Sequence, residues 1–295
     1  MNDFGFASTA TDLSAIRQTI SDLEFDGVEQ ETMRRLPRVG EVINELYHVE
    51  AVRGLKRYLV RHRLLDETFE LRIHNWVSPR GPQLGEIQQA SRSASMVGNA
   101  NAATTVDVGV CRQFGVYSVV EAIAGTSLGQ LLQNHGQFAV DEVMRFALEI
   151  GAALGSLHEV GVVHGLVDID DIVLSDDNAW KLVGAGLPAS PDVVWQLGAP
   201  EIDDPEDVTA ATDQWAFAAV LYRMLVGHAP TRGESRAPGR RRGDVPEQLD
   251  KAIMRALHSE PSQRWPALEG LLETLQRGFH VWRQPSMVPM DAREV

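Results

Sequence analysis

The sequence predicts an α+β chain with two unlike lobes, a small strand-rich one and a larger helical one, behind a short helical extension. Three observations predict it. Short apolar runs of strand length, Tyr58–Val60, Phe69–Ile73 and Gly115–Val120, fall between Tyr47 and Ile123. From Leu128 onward, apolar residues recur at helical spacing over longer segments. Residues 1–46 stand apart, with nine acids, four bases and a helical stripe of Leu13, Ile16, Ile20 and Leu23 behind the cap candidates Thr11 and Asp12.

In chain order, the extension is read as 1–46, with a second helical stretch from about Glu29 to Leu36 that Pro37 stops. The small lobe is read as 47–123, with a weak Ser- and Gln-rich helix over Leu84–Met96 between its strands. The large lobe, 124–283, carries helices over Val140–Leu157, Thr212–Val226, Gln248–Leu257 and Leu268–Phe279. Arg232–Arg242 is a Gly/Arg/Pro-rich loop, and 284–295 is a tail without pattern.

Composition bounds the function. The chain has 295 residues, 44% of them hydrophobic and 23% charged, which excludes collagen-like and wholly disordered classes. One cysteine, Cys111, excludes an internal disulfide framework. A net charge of −14 disfavours nucleic acid and anionic membrane as partners. No run approaches the roughly 20 apolar residues of a membrane span, and Met1–Ala10 has no basic n-region. A cytoplasmic protein without membrane insertion is expected.

Seven segments, in order, carry a family resemblance. These are RLLDETFELRI (63–73), YSVVEAIAGTSLGQLL (117–132), LHEVGVVHGLVDIDDIVL (157–174), AWKLVGAG (179–186), GAPEI (198–202), ATDQWAFAAVLYRMLVGHAP (211–230) and LDKAIMRALHSEPSQRW (249–265). Together they resemble the bilobal protein-kinase fold, most of all that of bacterial Ser/Thr kinases, over roughly residues 47–280.

The resemblance implies a fixed set of parts for phosphoryl transfer, and several are altered. The Gly-rich loop falls near Glu50–Val60 and offers one glycine, Gly54, among the bulky Arg53, Lys56 and Arg57. The Lys that contacts ATP is Arg72, which keeps the charge on a wider, planar head. Its helix Glu is Ala90, with Glu86 one turn away. The hydroxyl-proton acceptor is Leu166, which cannot titrate. The Asn is Asp171, which can still ligate Mg²⁺. The metal-binding Asp is Gly184. Asp168, two residues past Leu166, could serve as base and Asp171 as metal ligand; the alternative is that both are solvated loop carboxylates. Val120, Ala122 and Ile123 would line an adenine pocket.

The framework implied by the resemblance is intact: His164, Glu201, Asp213 and Arg264. Trp215 and Trp265 are expected in the core. Thirteen acids against the single Lys181 between Glu159 and Asp213 would repel a polyanion lacking metal. Val193, Val194, Trp195 and Leu197 could plug the cleft, and Ser190 is the only hydroxyl of the short activation segment. Arg232, Arg236, Arg240, Arg241 and Arg242 form a candidate patch for an acidic partner. From the altered parts, the expectation is a catalytically inactive pseudokinase, not an enzyme, with no ATP or Mg²⁺ as cofactor, acting as a protein-binding scaffold or regulatory subunit. The alternative is a divergent Ser/Thr protein kinase or other nucleotide-dependent transferase using Asp168 and Asp171.

Overall fold

The computed structural model describes residues 35–165, 167–188, 199–202, 207–231 and 236–283. The two expected extension helices lie in or run into residues outside these limits, as do Leu166, Ser190, Val193, Val194, Trp195, Leu197, Arg232 and the tail.

Six strands form one antiparallel sheet: β1 (Val42–Ile43), β2 (Tyr47–Gly54), β3 (Arg57–His62), β4 (Thr68–His74), β5 (Thr105–Cys111) and β6 (Gly115–Glu121), in the order β1-β2-β3-β4-β6-β5. The alternation of Tyr58, Val60 and His62 inward with Arg57, Leu59 and Arg61 less buried is the period-2 pattern that fixes register. Ile43, Val49, Val60, Leu71 and Val119 are fully buried in the core of this sheet. Each contributes about 1.5–3 kcal/mol of apolar transfer. Ile43 places the start of the small lobe before the expected boundary at Tyr47, because β1 pairs with β2 and Leu36 packs on the same core.

Helix α1 (Pro82–Ser95) covers one flank of the sheet through Ile87 and opens with Pro at its first turn. The large lobe begins with β7 (Gly125–Ser127) and α2 (Leu128–His135), followed by α3 (Val140–Glu159). Two more strands, β8 (Ile172–Ser175) and β9 (Trp180–Leu182), pair with β7 in the order β7-β8-β9. Then come α4 (Ala210–Val226), α5 (Glu247–Ala256) and α6 (Leu268–Arg283). Helix α4 is apolar nearly all round, from Trp215 to Val226, and therefore runs through the centre of the lobe with α3, α5 and α6 around it. Gly227 at φ +90° ends it in the left-handed conformation that glycine tolerates.

Candidate active site

The loop between α3 and β8 is shaped by one buried carboxylate. Asp213, in the first turn of α4, accepts the backbone N–H of His164 at Oδ2 (2.7 Å) and that of Gly165 at Oδ1 (3.0 Å). His158 Nε2 lies 2.9 Å from the same Oδ2. Gly165 holds φ +94°, a conformation costly to most L residues. Arg264 has no exposed side-chain surface and grips Glu201 with two bonds of 2.6 Å. Its remaining donors reach the carbonyls of Ala211, His258 and Ser259. Trp215 is buried, and Trp265 packs on the core with Arg255 4.1 Å from its ring centroid.

Between the lobes lies a cavity of about 470 Å³. Asp171, just before β8, projects into it and meets two guanidinium groups at one oxygen. Arg72 Nη1 of β4 donates to Oδ1 at 2.8 Å, and Arg57 Nη2 of β3 donates to the same atom at 2.7 Å. Arg57 Nη1 also donates to the Asp170 carbonyl (2.8 Å), and Arg72 Nε donates to Glu70 (2.7 Å). Burial by itself would raise the Asp171 carboxyl, but Arg57, Arg72 and His164 outweigh it and hold it below the ordinary value. Asp171 is therefore an ion-paired group and not a solvated one. Sequence reasoning places Arg57 only as a bulky residue of the Gly-rich-loop segment and gives no signal for Glu70. The cross-strand pairing of Arg57 with Arg72 is what aims both at one acid.

Gly184 explains the altered metal position. Its φ is +95°, and a Cβ there would sit 2.6 Å from Arg72 Nη1. The Arg72 head fills the room in which a side chain at 184 would begin, so any larger residue there requires the guanidinium to move. Two residues on, a Cβ on Gly186 would meet Ala90 Cβ at 3.0 Å, so α1 lies close against this turn with no room for a long acid. Glu86 is exposed and makes no shifted pair; Glu70 and Asp171 are the partners of Arg72.

Asp168 lines the same cavity and is half-buried. Burial, with the Asp171 charge as second cause, pushes its carboxyl up to about 6, against one backbone bond from Ile169 N–H at 2.7 Å. The cavity lining carries four cations, Arg53, Lys56, Arg57 and Arg72, against four acids, Glu70, Asp168, Asp170 and Asp171. The expected repulsion of polyanions is overturned, because the small lobe supplies the positive charge that the acidic segment lacks. His74 beneath them is held down to about 3 by burial and by the neighbouring cations, and so stays neutral.

Ala122, Ile123, Ile73 and Val173 form an apolar end of the cavity. Val120 does not line it; it packs behind, with Val77, Ile87 and Val183. Of the arginine loop, Arg236, Arg240 and Arg241 are exposed. Arg242 is half-buried and spends its donors within the chain. It donates to the carbonyls of Phe138 and Leu225 and pairs with Asp244, tying the end of α4 to the start of α3.

The family of protein tyrosine and serine/threonine kinases matches residues 83–275, and the chain belongs to it. A probable serine/threonine-protein kinase of Clostridium acetobutylicum is 22% identical over 267 residues, covering 80% of this chain and 40% of its own. The serine/threonine-protein kinase pkn3 of Myxococcus xanthus is 24% identical over 278 residues, covering 81% and 51%. This chain thus spans about half or less of the length of these relatives. The kinase domain of PknI from Mycobacterium tuberculosis has the same fold, with a TM-score of 0.70 at 19% identity, covering 83% of this chain and 99% of that one. Two expectations are corrected by these findings. Membership of a family of protein kinases, with relatives named as Ser/Thr kinases, points to an enzyme and overturns the expectation of none. Members of that family use ATP and Mg²⁺, which overturns the expectation of no cofactor.

The cleft itself accommodates such a cofactor. Arg72 Nη2 is buried without a partner while its residue lines the cavity. An orphaned guanidinium donor is costly unless an anionic oxygen meets it. Mg²⁺ needs only one or two protein carboxylates beside substrate phosphates. Asp171 lines the cavity and would be such a carboxylate, and among the described residues no group of three or more metal-binding side chains gathers.

Proposed function

We propose that this chain is a divergent Ser/Thr protein kinase whose proton acceptor has moved from position 166 to Asp168. The observation that carries this reading is the position of the Asp168 carboxyl, in the cleft, half-buried, and raised to about 6. A general base works best when its pKa lies near the working pH. An ordinary solvated aspartate would be too weak, and the burial of Asp168 corrects that.

ATP with Mg²⁺, when bound, supplies the transferable phosphoryl group. The residues of the chain do the rest. Arg72 offers the unpartnered Nη2 to a phosphate oxygen and replaces the usual Lys. Ala122, Ile123, Ile73 and Val173 give the adenine an apolar seat. Asp171 is the carboxylate for the metal. Asp168 takes the proton from the attacking Ser or Thr hydroxyl of a protein substrate. The Asp213 bonds to the His164 and Gly165 amides hold the loop that presents it.

The test is transfer of radiolabelled phosphate from ATP, with Mg²⁺ or Mn²⁺, to this protein or to proteins of its host. Wild type is expected to label, and Asp168→Asn to lose at least about 100-fold, the usual share of a general base. Equal labelling by wild type and Asp168→Asn contradicts the assignment of the base.

A further inference from the structure

Arg57 does something that phosphoryl transfer does not require. It reaches from the hairpin above the cleft down to the loop below it, with Nη2 on Asp171 Oδ1 and Nη1 on the Asp170 carbonyl. Both bonds cross between lobes, over 113 and 114 residues of sequence. The hairpin that carries it is stiff. A two-residue turn, Leu55–Lys56, joins β2 to β3, with Lys56 at φ +61°. The Lys56 carbonyl accepts Ile73 N–H at 3.0 Å, and Lys56 Nζ lies 4.6 Å from the Trp76 ring centroid. Where a glycine-rich loop would flex over phosphates, this hairpin is pinned to β4 at its tip and to the loop below by Arg57.

The contact also sits on the wrong atom for a bystander. Asp171 Oδ1 is the oxygen that Arg57 shares with Arg72, and Asp171 is the carboxylate offered to a divalent cation. Two guanidinium groups on Oδ1 neutralise the charge that the Asp171 carboxylate can offer a divalent cation at either oxygen, so Arg57 and the cation compete for it electrostatically. Arg72 is anchored a second time by Glu70 and is buried. Arg57 is the more exposed of the two and makes no second ion pair, whereas Arg72 has Glu70, so Arg57 is the one free to leave.

We propose that Arg57 is an interlobe latch that competes with the divalent cation for Asp171. Metal entry releases the hairpin, and the latched form is the resting state of the cleft. The competition rests on the phosphotransfer reading of the site, whereas the latch itself stands on the two bonds alone. Two readouts therefore separate them. The first is amide hydrogen exchange of residues 54–57 and 167–171. The second is free Mn²⁺ counted by electron paramagnetic resonance in the presence of ADP.

In Arg57→Gln, exchange in both segments is expected to speed up about tenfold, and Mn²⁺ to bind at least about tenfold tighter. The tightening is expected to vanish in the double variant Arg57→Gln with Asp171→Asn. Arg53→Gln removes the same charge from the same hairpin without the contact, and is expected to leave exchange unchanged. Unchanged exchange in Arg57→Gln, or equal effects of Arg53→Gln, overturns the latch. Faster exchange with no Mn²⁺ bound to either protein keeps the latch and overturns the competition, and with it the metal role of Asp171.

Discussion

A guanidinium and a glycine share one space in this cleft, and much of the site follows from that. Arg72 Nη1 stands 2.6 Å from where a Cβ of residue 184 would be, so an acid at 184 would have to displace the guanidinium. Gly184→Asp is expected to cost about 2–3 kcal/mol, from the left-handed backbone and the displaced arginine. Chemical denaturation checks it, and adding Arg72→Lys should recover part of the loss. Asp168 gives a second prediction at this scale. Burial holds its folded pKa at about 6, above the ordinary carboxylate value near 3.8. The folded protein holds a proton that the unfolded chain releases between roughly pH 4 and 6, so this contribution is present below about pH 4 and lost as pH rises through 6. Asp168→Asn is therefore expected to raise the melting temperature by about 5 °C at pH 7.5, and to leave it unchanged near pH 4. Scanning calorimetry at the two pH values checks it. The chemical types at 72, 168, 171 and 184 were legible in the sequence. Their environment was not, because burial and the convergence of Arg57 and Arg72 are products of strand pairing.

At the scale of elements, regular segments were read well and connections poorly. Helix α4 announces itself by an apolar stretch ended by Gly227, and β3 by its period of two. The β2–β3 hairpin reads in sequence as a degraded glycine-rich loop. In three dimensions it is a tight turn whose cations face the acids of the opposite lobe. The loop after α4 shows the same limit. Five arginines suggest a patch, yet one of them, Arg242, spends its donors on the carbonyls of Phe138 and Leu225. Arg242→Ala is expected to destabilise by about 1–3 kcal/mol, while Arg240→Ala and Arg241→Ala stay within about 0.5 kcal/mol. Urea unfolding of the three variants checks this difference.

The molecule as a whole keeps what shapes a kinase and rearranges what charges it. Asp213 and the Glu201–Arg264 pair, all readable as motifs, hold the large lobe in its family form. The net charge of −14 concealed a local balance, since four small-lobe cations face Asp168, Asp170 and Asp171 across the cleft, with Glu70 beside Arg72 on their own side. No helix among the described residues is long and apolar enough to cross a membrane. The central claim is that Asp168 serves as the base of this cleft. The measurement that tests it most directly is kcat/KM for phosphate transfer as a function of pH. The rate is expected to fall as pH drops through about 6, where Asp168 takes up its proton, and this step is expected to be absent from whatever residual rate Asp168→Asn retains. A profile flat from pH 5 to 7, or the same step in Asp168→Asn, contradicts it.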